Sequence, residues 1–477
     1  MVDVNIQTTI GPYTQEPVCT RPLLSTAELD TVITQAVKAQ KSWRKVSLDE
    51  RIAIAEKWIV EFEASADLIA EDLAIQMGRP IRYGKGEVNG TLYRARHLVK
   101  IAKECLAPIP QSDTDDEANK RTIIKQPLGV VAAITPWNYP HLCTVNSVIP
   151  ALLSGNAVII KPAPQTPVPA ERVLQTFLAA GLPANVLQVI HLSQETTLNG
   201  LCADPRVDFV AFTGSVVGGH AVQGAASKGQ GFKGVGLELG GKDPAYVRED
   251  ADLKYTVGNL VDGAFFNSGQ SCCAIERIYV HSAVYDEFVK EFAALTRSDY
   301  VLGDPTKQET TLGPVVSLAS AARIRKQVAD AVKAGAQLVV SESDFPGAKE
   351  GTTLVGPQVL VNVDHSMDVM SEESFGPVIG IMKVENDDEA LALMNDSPYG
   401  LTASVWTNPE DPASITVFNN FAEELECGTV YLNRADALDP ALPWGGVKNS
   451  GRGISLSSLG YDQLTRAKAI MLRVKTA

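Results

Sequence analysis

Apolar residues recur at helical spacing early in the chain. Ala53, Ile54, Trp58, Ile59 and Phe62 form a stripe with charges between them, so residues 27–110 read mostly as amphipathic helix, with Asp49 marking an N-cap region. Gln111 to Lys120 is a polar, acidic connector, and Arg121 to Lys125 reads as a strand. From residue 130 the period changes. Short apolar runs at Val130 to Thr135, Ala157 to Lys161, Val186 to Ile190, Phe209 to Phe212 and Val235 to Leu239 alternate with helical stretches such as Pro169 to Ala180, which Gly181 ends. A second alternating section starts near Gly241. It places strands at Arg277 to His281 and Gln337 to Ser341, and helices at Asp286 to Arg297 and Ser317 to Ala334. Tyr399 to Trp406 and Gly428 to Asn433 read as strands entering loops. Short buried strands separated by helices predict an α/β chain on doubly wound parallel sheets, with ligands at the carboxyl ends of the strands.

The 477 residues suffice for two or three domains. The hydrophobic share of 45% and charged share of 21% are ordinary for a soluble globular chain. A net charge of −14 disfavours nucleic acid and anionic membranes as partners, because both need clustered cations. No apolar run approaches the roughly 18–20 residues of a membrane span. Met1 to Asn5 lacks the basic-then-apolar pattern of a secretory signal, so a cytoplasmic location is expected. The seven cysteines, at 19, 105, 143, 202, 272, 273 and 427, are odd in number and scattered, which fits a reducing compartment. No CxxC pair and no HExxH cluster occurs, so no metal site is expected.

Against this background Cys272 stands out, in a flexible Gly/Ser turn that lets a thiol approach a substrate. Well upstream, Glu238 lies between two leucines just before Gly240-Gly241, the setting of a half-buried base. Together they suggest covalent thiol chemistry followed by activation of water. Cys273 reads as a small pocket-wall residue. Phe212-Thr213-Gly214-Ser215 follows a strand and opens a helix, where free N–H groups can meet a phosphate; an ordinary strand-to-helix turn is an equal reading. Gly234-Val235-Gly236 starts like a dinucleotide fingerprint but lacks the third glycine and reads as strand. Asn138, after Trp137, could donate to an oxyanion or simply form a turn. Lys161 ends a strand, where a cation either reaches a ligand or is solvated. Glu372-Glu373-Ser374-Phe375 alone is an acidic loop, and Pro443-Trp444-Gly445-Gly446 a Gly-rich loop with one tryptophan.

In this order, Pro136-Trp137-Asn138, Lys161-Pro162, Phe212 to Ser215, Leu237 to Gly241, Gly269 to Cys272, Glu373 to Pro377 and Pro443 to Gly446 resemble the aldehyde dehydrogenase superfamily, from about residue 25 to the C-terminus. The resemblance implies a Rossmann-like cofactor domain (1–106 and 129–239), an α/β catalytic domain (240–449), and a small β oligomerisation arm with a C-terminal strand (107–128 and 450–477). It further implies that Cys272 attacks an aldehyde, that Asn138 and the Cys272 N–H hold the oxyanion, that hydride passes to NAD or NADP, and that Glu238 activates water to release an acid. Trp137, Lys161, Thr213, Gly214, Ser215, Glu373 and Phe375 would meet the cofactor. Tyr139, Leu142, Cys143, Ser271, Cys273, Leu438 and Trp444 would line the substrate pocket.

Two departures matter. The glutamate that the family commonly carries three residues after the lysine is Pro164 here, so discrimination against NADP should weaken. The glutamate often found after the Gly-Gly loop is Ser455, which leaves Glu238 as the base. Arg434, near the pocket mouth with Asp436, would anchor a semialdehyde carboxylate, pair with a carboxylate of the protein or remain an exposed loop residue. A CoA-acylating relative, a thiol esterase and a non-catalytic relative are the competing readings, disfavoured by Glu238, by the cofactor segments and by the retained trio. The resemblance also implies a homodimer or homotetramer, with 107–128 and Ala469 to Val474 forming a sheet across subunits.

Overall fold

A computed structural model describes residues 6–475. The helical N-terminal region consists of Thr26–Trp43, Leu48–Ala64, Ala66–Met77 and Ile81–Cys105. The second helix is capped two residues before the expected Asp49: Ser47 accepts from the Glu50 N–H while Glu50 reaches back, a reciprocal capping box. Its buried face, Ala55, Trp58, Ile59 and Phe62, packs on the helix Pro167–Ala179. There Trp58 stacks on Phe177 at 4.7 Å and donates to Thr176 Oγ1 at 2.9 Å.

Two large sheets carry the rest. The first is six-stranded, in the order Gly451–Arg452, Gly234–Glu238, Phe209–Thr213, Val130–Thr135, Ala157–Pro162, Leu187–Val189. All its neighbours are parallel except Gly451–Arg452, which pairs antiparallel with Leu237 and Glu238. Val130–Thr135 and Ala157–Pro162 are buried along their whole length, because helices cover both faces. The Gly234-Val235-Gly236 segment is a strand. The second sheet is seven-stranded, in the order Gln337–Val340, Gln358–Val361, Val378–Val384, Ile275–His281, Asp243–Val247, Thr402–Trp406, Thr429–Leu432. Only Gln337–Val340 runs antiparallel to its neighbour.

The sheets determine which loops meet. Residues 136–138, 161–162, 213–215 and 238–241 leave the carboxyl ends of first-sheet strands. Residues 241, 272 and 373–376 lead into the amino ends of the second-sheet strands Asp243–Val247, Ile275–His281 and Val378–Val384.

Thr465–Arg473 pairs antiparallel with Asn119–Pro127, which also pairs with Ile109–Pro110. The C-terminal strand thus finds one partner within its own chain and begins four residues earlier than expected. Among the described residues no strand pairs with its other edge, and Met471 and Leu472 are exposed. No helix among the described residues is long and apolar enough to cross a membrane. None of their His, Cys, Asp and Glu side chains gather in threes as a metal site would require.

Candidate active site

The turn before Cys272 is held rigidly, contrary to the flexible turn expected. Asn267, Ser268 and Gly269 are all in the left-handed region. A side chain at Gly269 would come within 2.3 Å of the Gly376 carbonyl oxygen, so only glycine fits. Ser268 Oγ donates to the Gly313 carbonyl at 2.8 Å, and Gln270 Oε1 accepts from Val316 N at 2.8 Å. Cys272 is half-buried, and its N–H donates to no protein acceptor among the described residues.

Asn138 is buried, and its Nδ2 donates to the Gln270 carbonyl at 3.2 Å. That uses one of two amide hydrogens and leaves the other free. Behind it lies a residue the sequence reading missed. Arg79, 2% exposed, donates from Nη2 to the Asn138 carbonyl at 2.8 Å and from Nε to Asn267 Oδ1 at 3.3 Å. Its Nη1 pairs with buried Glu87, whose other oxygen accepts from His141 N at 2.8 Å. One guanidinium therefore ties the Asn138 loop to the turn before Cys272. It sits just after a helix C-cap glycine, Gly78, with no motif to mark it.

Glu238 is half-buried between Leu237 and Leu239, each 5% exposed. Ser455 Oγ donates to one carboxylate oxygen and Thr213 Oγ1 to the other at 3.2 Å. Burial raises its pKa, and these donors and the Arg94 charge counter the rise. Ser455 reaches it because Gly451 pairs with Glu238 in register. Both residues line a narrow pocket with Cys143, Asn146 and Ser147. Gly241 links Glu238's loop to the nucleophile turn: a side chain there would meet the Cys272 carbonyl oxygen at 2.8 Å.

On the other flank, Asp436 Oδ1 accepts from Cys273 Sγ at 2.9 Å and from Ser271 Oγ at 3.4 Å. Burial raises its carboxyl to about 6. The Cys273 thiol is pushed far up by its hydrogen bond with Cys272, by burial and by Asp436. Asp436 thus faces the Cys273 thiol, while Arg434 is exposed. Tyr139 lies under Arg79 at 4.4 Å; Leu142 and Leu438 are half-buried; Trp444, 4% exposed, belongs to the hydrophobic core that Cys272 and Leu438 also touch.

The remaining loops form a cradle at the carboxyl edge of the first sheet. Ser215 Oγ caps the helix Val216–Ala226 by accepting from Gly218 N at 3.2 Å. Lys161 is 8% exposed, burial lowers its pKa, and no carboxylate pairs with it among the described residues. A nearly buried cation without an anion fits a ligand's oxygens better than solvent. Trp137 and Phe375 meet edge-to-face at 5.4 Å. Buried Lys242 and Glu276 pair at 2.7 Å, and Glu276 accepts from the N–H groups of Ser374 and Phe375, fixing that loop. Glu373 Oε1 accepts from Gly241 N at 3.1 Å, and burial with Glu276 nearby lifts its pKa to about 8.

The profile of the aldehyde dehydrogenase family matches residues 3–470. The chain belongs to the aldehyde dehydrogenase family. A Deinococcus radiodurans relative named succinate-semialdehyde dehydrogenase, NADP(+), is 35% identical over 468 residues, covering 97% of this chain and 94% of that protein. A solved Escherichia coli NADP dependent enzyme superposes with a TM-score of 0.93 at 29% identity, over 99% of this chain and 96% of that one. Betaine aldehyde dehydrogenase from Staphylococcus aureus, solved with NAD+, gives 0.92 at 27% identity, over 100% and 93%. This aldehyde dehydrogenase uses a nicotinamide cofactor, NAD or NADP.

Proposed function

We propose that this enzyme oxidises an aldehyde to the carboxylic acid in two covalent half-reactions on Cys272. What supports the reading is that the Asn138 loop bonds the turn before Cys272, that the loop after Glu238 packs on the Cys272 carbonyl, and that two free donors and a tethered base sit on these loops. The donors are the second Asn138 amide hydrogen and the unpartnered Cys272 N–H; the base is Glu238, held by Ser455 and Thr213.

The Cys272 thiolate forms a C–S bond to the aldehyde carbon, and the two donors bind the negative oxygen of the thiohemiacetal. A bound nicotinamide supplies the acceptor for that carbon's hydride. Lys161 would hold the adenosine ribose, the helix at Ser215 the pyrophosphate, and Glu373 and Phe375 the nicotinamide end, with Trp137 against Phe375. Collapse of the thiohemiacetal leaves a thioester on Cys272. Glu238 takes a proton from water as its oxygen bonds to the acyl carbon, the C–S bond breaks, and Cys272 leaves as thiolate. Tyr139, Leu142, Cys143, Ser271, Cys273 and Leu438 would wall the aldehyde, with Trp444 behind them.

A panel of aldehydes with NAD and NADP, followed by near-ultraviolet absorbance of the reduced cofactor, tests the reading. Wild type should reduce cofactor and release acid, and Cys272→Ser should do neither. Reduction that strictly requires coenzyme A would replace hydrolysis by thiol transfer. We also propose that the open edge of Thr465–Arg473 joins a second copy, giving a homodimer or homotetramer. Light scattering that returns a monomer would reject this.

A further inference from the structure

Arg94 lies on the helix Ile81–Cys105 and is 8% exposed. A guanidinium keeps its charge when buried, so it calls for an anion. The neighbouring buried arginine, Arg79, has one in Glu87. Arg94 has none among the described residues. Its hydrogen bonds run from Nη1 alone to neutral acceptors, the Leu142 carbonyl and Asn146 Oδ1, both at 3.1 Å. Nε and Nη2 donate to no protein group, and neither is sealed from solvent. Those two form one edge of the planar fork, the edge that fits a carboxylate bidentately.

Its partner Asn146 lines one pocket with Cys143, Glu238 and Ser455, and its charge acts on Glu238, on Cys143 and on Asp436. Both of these acids are already engaged by protein donors: Asp436 by Cys273 and Ser271, Glu238 by Ser455 and Thr213. Arg94 is thus a nearly buried charge with no anion among the described residues, bonded to Asn146 of the pocket wall.

We propose that Arg94 anchors a carboxylate on the substrate, making short ω-carboxy aldehydes the preferred class, with the aldehyde carbon at Cys272 and the carboxylate on Nε and Nη2. The proposal rests on the reading of Cys272 above and moves the anchor from exposed Arg434 to the interior.

Succinate semialdehyde and butanal, equal in carbon number and differing in charge, test it. Wild type should favour the semialdehyde in kcat/KM by about 30-fold or more, the scale of one charge-assisted contact. Arg94→Met should abolish that preference by lowering the semialdehyde far more than butanal, which loses only the share of the Arg94 charge in holding Glu238 ionised, and Arg94→Lys should keep part of the preference. An equal loss on both substrates would mean that Arg94 only braces Leu142 and Asn146, and absence of any preference in wild type would overturn the anchor outright. A binding readout separates this from the reaction itself. Succinate should raise the melting temperature of wild type where butyramide does not, and Arg94→Met or Arg94→Lys should blunt the effect. If wild type oxidises no aldehyde, the proposed reaction fails while succinate protection still judges the anchor; no protection overturns it. If the methionine variant does not fold, the lysine variant and the wild-type comparisons decide.

Discussion

Ser455→Ala should move the acid limb of the hydrolytic step toward higher pH. Ser455 is the first of the donors holding Glu238 ionised against a burial that favours the neutral acid; Thr213 at 3.2 Å and the Arg94 charge are the others. Hydrogen bonds to the charged form lower a carboxyl pKa, so deleting one raises it. A bond to a charged group contributes about 1.5–3 kcal/mol, and the lower end is about tenfold in the ratio of carboxylate to acid. Below the limb, where the carboxylate is the minor form, the variant should hydrolyse its acyl-enzyme about tenfold more slowly than wild type. Above the limb the two rates should converge, because the base is ionised in both. The assay is stopped-flow decay of a preformed acyl-enzyme across the pH range in which the fold is intact. The burst of reduced cofactor before it should keep its amplitude, since Ser455 touches Glu238 and not Cys272. A limb that stays in place, or a slowing equal at every pH, would refute the tether.

Two other outcomes follow from the same geometry. Pro164 brings no carboxylate beside Lys161 and spends its carbonyl on Thr9 Oγ1 at 2.8 Å, so NAD and NADP should differ by no more than about tenfold in kcat/KM. Pro164→Glu should depress NADP about tenfold or more by like-charge repulsion while sparing NAD, and a several-hundredfold NAD preference in wild type would contradict the argument. Arg79→Met leaves Glu87 buried and unpaired, a cost of about 3–5 kcal/mol in denaturant unfolding. Adding Glu87→Gln should recover part of that, whereas strictly additive losses would show that the pair is not coupled.

Much of the fold was legible from hydrophobic period alone. Val130–Thr135 is apolar up to its last residue and is ended by Pro136, and it is the buried strand it reads as. Boundaries set by side-chain caps were harder, as the shift from Asp49 to Ser47 shows: both are good caps, and only the reciprocal Glu50 bond separates them. Long-range contacts left no trace in local sequence. Ser455 reaches Glu238 only because Gly451–Arg452, a two-residue strand too short to show a period, adds to the far edge of the first sheet. The turn at Cys272 looked flexible because it is rich in Gly and Ser. Those small residues instead allow left-handed backbone and close approach to Gly376 and Gly313. Arg79 and Arg94 carried no signal in the sequence, since burial of a guanidinium depends on what packs across it, and here those partners come from the Asn138 loop and the helix Pro140–Leu153. The open C-terminal edge was foreseen, but its in-chain partner Asn119–Pro127 depends on tertiary register.

The central claim is that acylation belongs to Cys272 and deacylation to Glu238. Rapid mixing of Glu238→Gln with aldehyde and cofactor, followed by intact-mass measurement of the quenched protein, tests it most directly. The account predicts a burst of reduced cofactor close to one per active site, then slow turnover, with an acyl adduct that Cys272→Ser cannot form. Loss of the burst, or steady turnover at the wild-type rate with no adduct, would contradict it.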